Sequence, residues 1–469
     1  VLLALAAWPL PRSTAVAAEL EWSRRPYRMV VILAVDGSGE LARLLTDGLP
    51  GYWAERAAAA VGPLWELDPR VAEGAQRHQI LREMDSFQDD PSSAFSFDAD
   101  KLVLFGISEH ADTYLLAARE FDRYTNRWGP ALKRETPQHH AIPEQSFFLL
   151  QRVISPLAQL EMDDDNRTVR LLWRGAELLP DVPGALGVRP GDVFLPVLRR
   201  TNRAGEVLTK GIQPVPWTFV EIAPNTADGP LVGRVHSGIR RPLGALRRGR
   251  VEQLGIMQRT DPADTTIKLV SRAKADEPLV GYEIYRQNAG DEELTRLGLS
   301  DENGALTVRP GDSAVQLISI KNRGDLVAKL PVVPGALQQV VVPLPDDTVR
   351  VQAQTRLAAL REELIDVVAR RSILMARARQ KMEVGDFKKA EELLAALDQL
   401  PGRLQFSQDL ARERRLHRAN DPQLQRRIDQ LMKGTEAALE QFLDAQPIRQ
   451  LQEEFRRRKL EGDGAKVEG

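Results

Sequence analysis

The chain has 469 residues, with 64 basic against 66 acidic side chains and no cysteine. That length suits three or so domains, and the charge balance argues against a bulk nucleic-acid binder. The missing thiols exclude disulfides, thiolate metal sites and cysteine catalysis, so any fold must be held by its cores.

Residues 1–18 read as the remnant of an export signal. Val1-Leu2-Leu3-Ala4-Leu5-Ala6-Ala7-Trp8 is apolar but too short before Pro9 to span a bilayer, and Ala15-Val16-Ala17-Ala18 supplies small residues for cleavage. Cleavage is expected after Ala17 or Ala18. No later stretch is apolar enough for a membrane span, so the expected location is exported, periplasmic or extracellular.

Residues 19–165 are expected to form an α+β layer domain. Arg28–Val35 is a buried strand by its continuous apolar run, and Asp36-Gly37-Ser38-Gly39 turns it into a helix carrying Leu41, Leu44, Leu45, Leu49, Trp53 and Ala57 through Ala60. A short strand at 64–67 and a helix at 75–85 follow. Leu102–Ile107 and Thr113–Phe121 read as a hairpin, Arg127–Lys133 as a third strand, and Pro143-Glu144 as the start of a helix running through Leu157. This order, with Lys101-Leu-Val-Leu-Phe-Gly-Ile107 and Asp122-Arg-Tyr-Thr-Asn126, resembles the amino-terminal domain of the Tol–Pal translocation proteins and the curli-assembly lipoproteins. Asn126 stands where that group has Gly, and Asn also tolerates the left-handed conformation.

Residues 166–262 carry short apolar runs at 169–173, 193–198, 217–222, 231–236 and 251–257, which predict a small β-barrel. Residues 263–345 predict a β-sandwich. Val280, Tyr282 and Ile284 alternate, then Leu306 and Val308, then Val315, Leu317 and Ile320, with Asp301-Glu302-Asn303-Gly304 as a turn. That turn and Pro310-Gly311-Asp312 resemble the transthyretin-like domain that accompanies secreted carboxypeptidases, which implies a folding and contact module. Val-Arg-Pro-Gly-Asp recurs at 188–192 and 308–312, and Val-Pro-Gly-Ala-Leu at 182–186 and 333–337. The two pairs run in opposite order, so they are shared turn chemistry rather than a tandem repeat.

Residues 346–460 predict a helical hairpin or bundle. Leu357, Leu360, Leu364 and Val367 form an apolar stripe, expected to face Leu393, Leu394 and Leu397 across a Gly385-Asp386 corner. Gly-Asp-Phe-x-x-Ala-x-x-Leu-Leu resembles the inter-helix corner of a tetratricopeptide repeat, in a single copy. Residues 461–469 read as a disordered tail.

No stretch specifies a reaction, and no catalytic, cofactor or metal residue is assigned. His139, His140 and Glu144 have Pro143 among them, which favours a solvated loop over a metal site. Asp163-Asp164-Asp165-Asn166 lacks the Gly and Glu of a calcium loop, and Asp36–Gly39 lacks the rest of a phosphate loop. Arg240, Arg241, Arg247, Arg248 and Arg250 are an anion-patch candidate; without interleaved aromatics they do not favour single-stranded nucleic acid. Leu357, Leu360, Leu364 and Val367 are the candidate surface for a partner helix or self-association. The chain therefore reads as an exported, non-catalytic interaction or scaffold protein of the cell envelope with a protein partner. The alternative is an accessory subunit of a secreted hydrolase, or a hydrolase whose site carries no recognised motif.

Overall fold

The computed structural model describes residues 21–464 apart from 38, 89, 111, 164, 166, 179–187, 225–230, 241, 244–249, 261–263, 275 and 289–292. The chain divides into two compact units. The first comprises the chain through Lys268 with Val280–Lys321 and Ala328–Val342; the second takes Leu269–Leu279, Asn322–Val327 and everything from Pro343 onward.

The first unit starts with a layered α+β domain. Strand β1 (Tyr27–Val35) is apolar on both faces because both are covered. Helix α1 (Glu40–Val61) presents Leu45, Leu49, Trp53, Ala57 and Val61 at four-residue steps to Val31, Leu33 and Val35. Strand β2 (Trp65–Val71) and helix α2 (Gly74–Glu83) follow, and Ile80 of α2 packs on the opposite face with Val30 and Ile32. Strands β3 (Lys101–His110) and β4 (Thr113–Asp122) form the expected hairpin. β1 pairs in parallel with both β2 and β3. The expected third strand is two pieces, β5 (Arg127–Trp128) and β6 (Leu132–Thr136), interrupted at Gly129-Pro130, where proline has no N–H for the ladder.

Helix α3 (Ile142–Val153) ends before Leu157, against the sequence expectation. Pro156 drives Ser155 away from helical geometry, and Ile154 is already extended at φ −70°, ψ 122°. Leu157 and Leu160 mimic helical spacing but belong to β7 (Leu157–Met162).

β7 joins β8 (Thr168–Trp173), β9 (Val193–Thr201), β11 (Thr218–Ile222), β12 (Val232–Ser237) and β13 (Arg250–Met257) in a closed antiparallel barrel, while β10 (Val207–Pro214) pairs outside it on β9. The ring closes because β13 pairs with β7 on one side and β9 on the other. Inside lie Leu160, Leu171, Trp173, Phe194 and Val220. A Cβ at Gly233 would come within 2.3 Å of Val220 Cγ1, so only glycine fits that wall.

Two further sheets follow, β17-β14-β20 and β16-β15-β18-β19, built from β14 (Thr265–Ser271), β15 (Glu283–Asn288), β16 (Thr295–Leu299), β17 (Ala305–Val308), β18 (Gln316–Asn322), β19 (Asp325–Val332) and β20 (Gln339–Leu344). The Asp301–Gly304 turn forms as expected. Asp301 Oδ1 accepts from the N–H groups of Asn303 (2.9 Å) and Ala305 (2.7 Å), and Gly304 has φ 71°. Two faces differ from the alternation read in the sequence. Val280 is exposed, because Gly281 at φ 76° turns the chain before Tyr282; in β18 Ile318 and Ile320 are buried and Leu317 is not.

The second unit is helical: α4 (Thr348–Glu383), α5 (Phe387–Asp398), α6 (Arg403–Leu416), α7 (Pro422–Phe442) and α8 (Gln446–Gly464). Gly385 at φ 79° makes the corner after α4, and the Asp386 carboxylate caps α5 by accepting from Lys389 N. Leu357, Leu360, Leu364 and Val367 are buried in this unit's own core. They face Phe406 and Leu410 of α6 and Ile428 and Met432 of α7, not α5. Leu394 and Leu397 instead pack with Ala378, Met382, Leu451 and Phe455. A stripe along 36 residues of helix is long enough to serve two clusters, and α5 with 12 residues covers only the later turns.

Candidate partner-binding groove

Within the first unit, segments from the α+β domain, the barrel and the following sheets line adjoining cavities. The largest, about 460 Å³, is polar: Asn126, Arg127 and Trp128 face Asp264, Gln338 and Gln339. A second, about 240 Å³, is apolar, walled by Leu195, Val215, Trp217, Phe219, Val333 and Leu337. A small third cavity lies against Glu120, Ser155 and Arg259. Arg127, Ala336 and Leu337 line all three, so the cavities form one groove with Arg127 at the junction.

Each wall is held by local chemistry. Asp122 Oδ1 accepts from Thr125 N and Thr125 Oγ1, both at 2.8 Å, and Asn126 takes φ 50°, so the turn forms with Asn where glycine was the alternative. Arg127 then pairs back with Asp122 in the ladder. Trp128 is fixed by stacking on Phe87 (5.4 Å) and by the Arg119 guanidinium 5.1 Å from its ring centre. Arg119 donates to the carbonyls of Gly129 (2.8 Å) and Met84 (2.6 Å). On the opposite wall the buried Thr265 hydroxyl donates to Leu337 O (2.8 Å) and accepts from Gly335 N (2.8 Å). Val333 and Ala336 are seated on Val193 and Val315.

Trp217 is the third wall. It follows Pro216 at φ 50°, a conformation that costs a bulky residue on the order of 1–3 kcal/mol. Gly238 N donates to Trp217 O at 2.9 Å, and a Cβ at Gly238 would strike Leu330 Cδ2 at 2.9 Å. The strain aims a half-buried indole into the apolar cavity.

The turn that carries Arg127 rests on a buried ionic cluster. Lys101 Nζ donates to Glu120 Oε1 (2.5 Å), Asp122 Oδ2 (2.8 Å) and Ser155 O (2.9 Å), with none of the three charged side chains more than 2 % exposed. Burial alone would lower the Lys101 pKa, but Asp122 and Glu120 outweigh it and hold it above the usual lysine value. Burial pushes Glu120 up despite Lys101, and pushes the Tyr27 hydroxyl up to about 12. Nearby, Arg174 donates to Asp100 Oδ2 (2.5 Å) and Pro26 O (2.6 Å), with the rings of Tyr27 and Tyr124 each 4.9 Å from its Cζ. These last are interior contacts, and none of Arg174, Asp100, Pro26, Tyr27 and Tyr124 lines the three cavities.

Arg127 differs from its neighbours. Among the described residues its guanidinium has no hydrogen-bond or ion-pair partner, and burial holds its pKa below the usual arginine value. The groove's carboxylates are engaged elsewhere: Asp85 accepts from Lys133 Nζ at 2.8 Å, and Asp264 lies 3.8 Å from Arg309.

The sequence-derived candidates fall away from this groove. Arg240 is exposed, and Arg241, Arg247, Arg248 and the Arg250 side chain lie outside the described residues, as do residues 1–18 and 465–469. Leu357, Leu360, Leu364 and Val367 have their partner helices within the chain. His139 and His140 sit on a short exposed turn, and among the described residues no three metal-binding side chains gather. Asp165 spends its Oδ1 on Arg167 N (2.8 Å) and Thr168 N (3.0 Å) in the β7–β8 turn. The Asp36-Gly37 corner is tied by Arg77, which donates to Gly37 O at 2.5 Å. Neither Arg127 nor Trp217 stands out in the sequence as a site residue. The Pro214-Val-Pro-Trp217 run was the available signal for Trp217.

No family model and no curated protein matches the chain. Among solved structures it is similar to TolB from Acinetobacter baumannii at 12 % identity, over 69 % of this chain and 96 % of that one, with a TM-score of 0.18. Neither fold nor function is carried across at that score.

Proposed function

We propose that this chain is a partner-binding protein of the cell envelope, which seats a protein segment in the groove lined by Trp217, Arg127 and Leu337. The observation that carries the reading is the strained Trp217. A half-buried aromatic held at φ 50° in an apolar cavity is a contact residue prepared before any partner arrives. Export rests on the apolar run and small residues of 1–18, and among the described residues no helix is long and apolar enough to cross a membrane. The binding role is assigned to the β modules because the helical stripe at 357–367 is consumed by α6 and α7.

The test is site-specific photo-crosslinking in cells. A benzophenone side chain at Leu337, half-exposed and lining all three cavities, is expected to trap a defined partner. The same group at the exposed Leu44 of α1 is expected not to. Identical adduct patterns from the two positions, or none from Leu337, would refute the reading.

A further inference from the structure

We infer that the segment taken by this groove is an extended peptide with an internal Asp or Glu, whose carboxylate pairs with Arg127, beside an apolar residue that enters the Trp217 cavity. The inference rests on the proposed binding role and specifies its ligand. Three observations carry it.

The first is charge. Arg127 is half-buried and unpartnered among the described residues, whereas Asp85 is held by Lys133 and Asp264 lies beside Arg309. Arg119 adds a second cation whose donors meet neutral carbonyls only. A buried cation without an anion is costly, so the site favours a ligand that brings one, and a guanidinium matches a carboxylate in two-pronged geometry.

The second is position. Cavity extends to both sides of Arg127: about 460 Å³ with Asn126, Gln338 and Gln339 on one side, and about 240 Å³ of apolar space on the other. A chain ending at Arg127 would leave one side empty. A segment passing through fills both, which assigns the carboxylate to a side chain rather than to a terminus.

The third is the pattern of the two sides. Amides of Asn126, Gln338 and Gln339 can donate to and accept from a peptide backbone, whereas Trp217, Phe219 and Val333 offer only an apolar seat. One polar stretch and one side-chain pocket flanking a cation define the motif: apolar residue, short step, acidic residue.

The probes are fluorescein-labelled decapeptide pools, all acetylated, and the first two also amidated so that they carry no terminal charge. One pool places an apolar residue within two positions of a Glu, a second has Gln in its place, and a third ends in an apolar residue with a free carboxylate. Fluorescence anisotropy with the full chain is expected to show the Glu pool binding about 10-fold or more tightly than the Gln pool. Arg127→Gln should bring that ratio to near one. Arg127→Lys, which keeps the charge but not the two-pronged fit, should keep only part of it, and Trp217→Gly, which tolerates φ 50°, should weaken both pools alike. Thermal melts confirm that each variant is folded. Equal binding of the Glu and Gln pools, tightest binding of the free-carboxylate pool, or an unchanged ratio in Arg127→Gln would each overturn the acidic-segment inference. No peptide binding while Leu337 still traps a partner would overturn it too and leave the groove reading standing. Failure of both peptides and crosslinking removes the groove reading itself.

Discussion

Replacing Lys101 by Met tests whether the turn bearing Arg127 rests on the buried cluster. The ammonium contacts Glu120 and Asp122 at 2.5 and 2.8 Å, and all three groups are out of water. Methionine fills similar space but leaves two buried carboxylates facing each other. Breaking a buried pair by removing one partner costs about 3–5 kcal/mol, and that is the loss expected at pH 7. Asp122 keeps two donors from Thr125, whereas Glu120 keeps only Ser155 N, and burial already favours its neutral form. In the variant Glu120 therefore holds a proton that the unfolded chain releases above the ordinary Glu value of about 4.3. Native protein then binds more protons than unfolded, so the variant's stability falls as pH rises and recovers as pH is lowered. The gap to wild type should narrow by about 1–3 kcal/mol between pH 7 and pH 5. Urea unfolding followed by tryptophan emission reads this directly, because the chain has no tryptophan beyond Trp217 and the helices of the second unit stay silent. A loss under about 1 kcal/mol at pH 7, or a gap that does not narrow, would refute the reasoning.

At alkaline pH, Tyr27 (pushed up to about 12) and Lys101 both keep their protons longer folded than unfolded. Their stabilisation is complete below about pH 10 and is lost as pH climbs from there toward 12. Tyr27→Phe should flatten that slope by about 1 kcal/mol between urea titrations at pH 10 and pH 11. Gly304→Val should cost about 1–3 kcal/mol, since φ 71° is strained for a β-branched residue; an unchanged melting temperature would remove the turn argument. Leu364→Ala in the helical core should cost about 2–5 kcal/mol, seen as an earlier loss of helical circular dichroism.

Elements with strong local signals were legible in the sequence. β1 reads as a buried strand because both its faces are covered, and the 301–304 turn reads from Asp, Asn and Gly alone. The barrel was legible as a class, because its strands are short apolar runs between turns. Its closure was not, since that depends on β7, whose Leu157 and Leu160 sit at helical spacing until Pro156 is weighed. The facing partner of Leu357–Val367 was misplaced for a similar reason: sequence proximity favours α5, while α4 is long enough to pack α6 and α7 first. The groove was illegible. Arg127 is one of 64 basic residues, and only the packing around it leaves it without a partner among the described residues; Trp217 looks like the first residue of a strand, and the prolines before it mark a turn without specifying its positive φ.

The most direct test of the account uses the absence of cysteine, which makes one introduced at Leu337 the sole thiol in the chain. Leu337→Cys coupled to a bulky maleimide would fill the groove at the point its three cavities share. Partner trapped by crosslinking should co-purify with the unlabelled variant and be lost on labelling, while Leu44→Cys labelled in the same way should retain it. Retention of the partner by the blocked Leu337 variant would contradict the claim that this groove is where the protein binds.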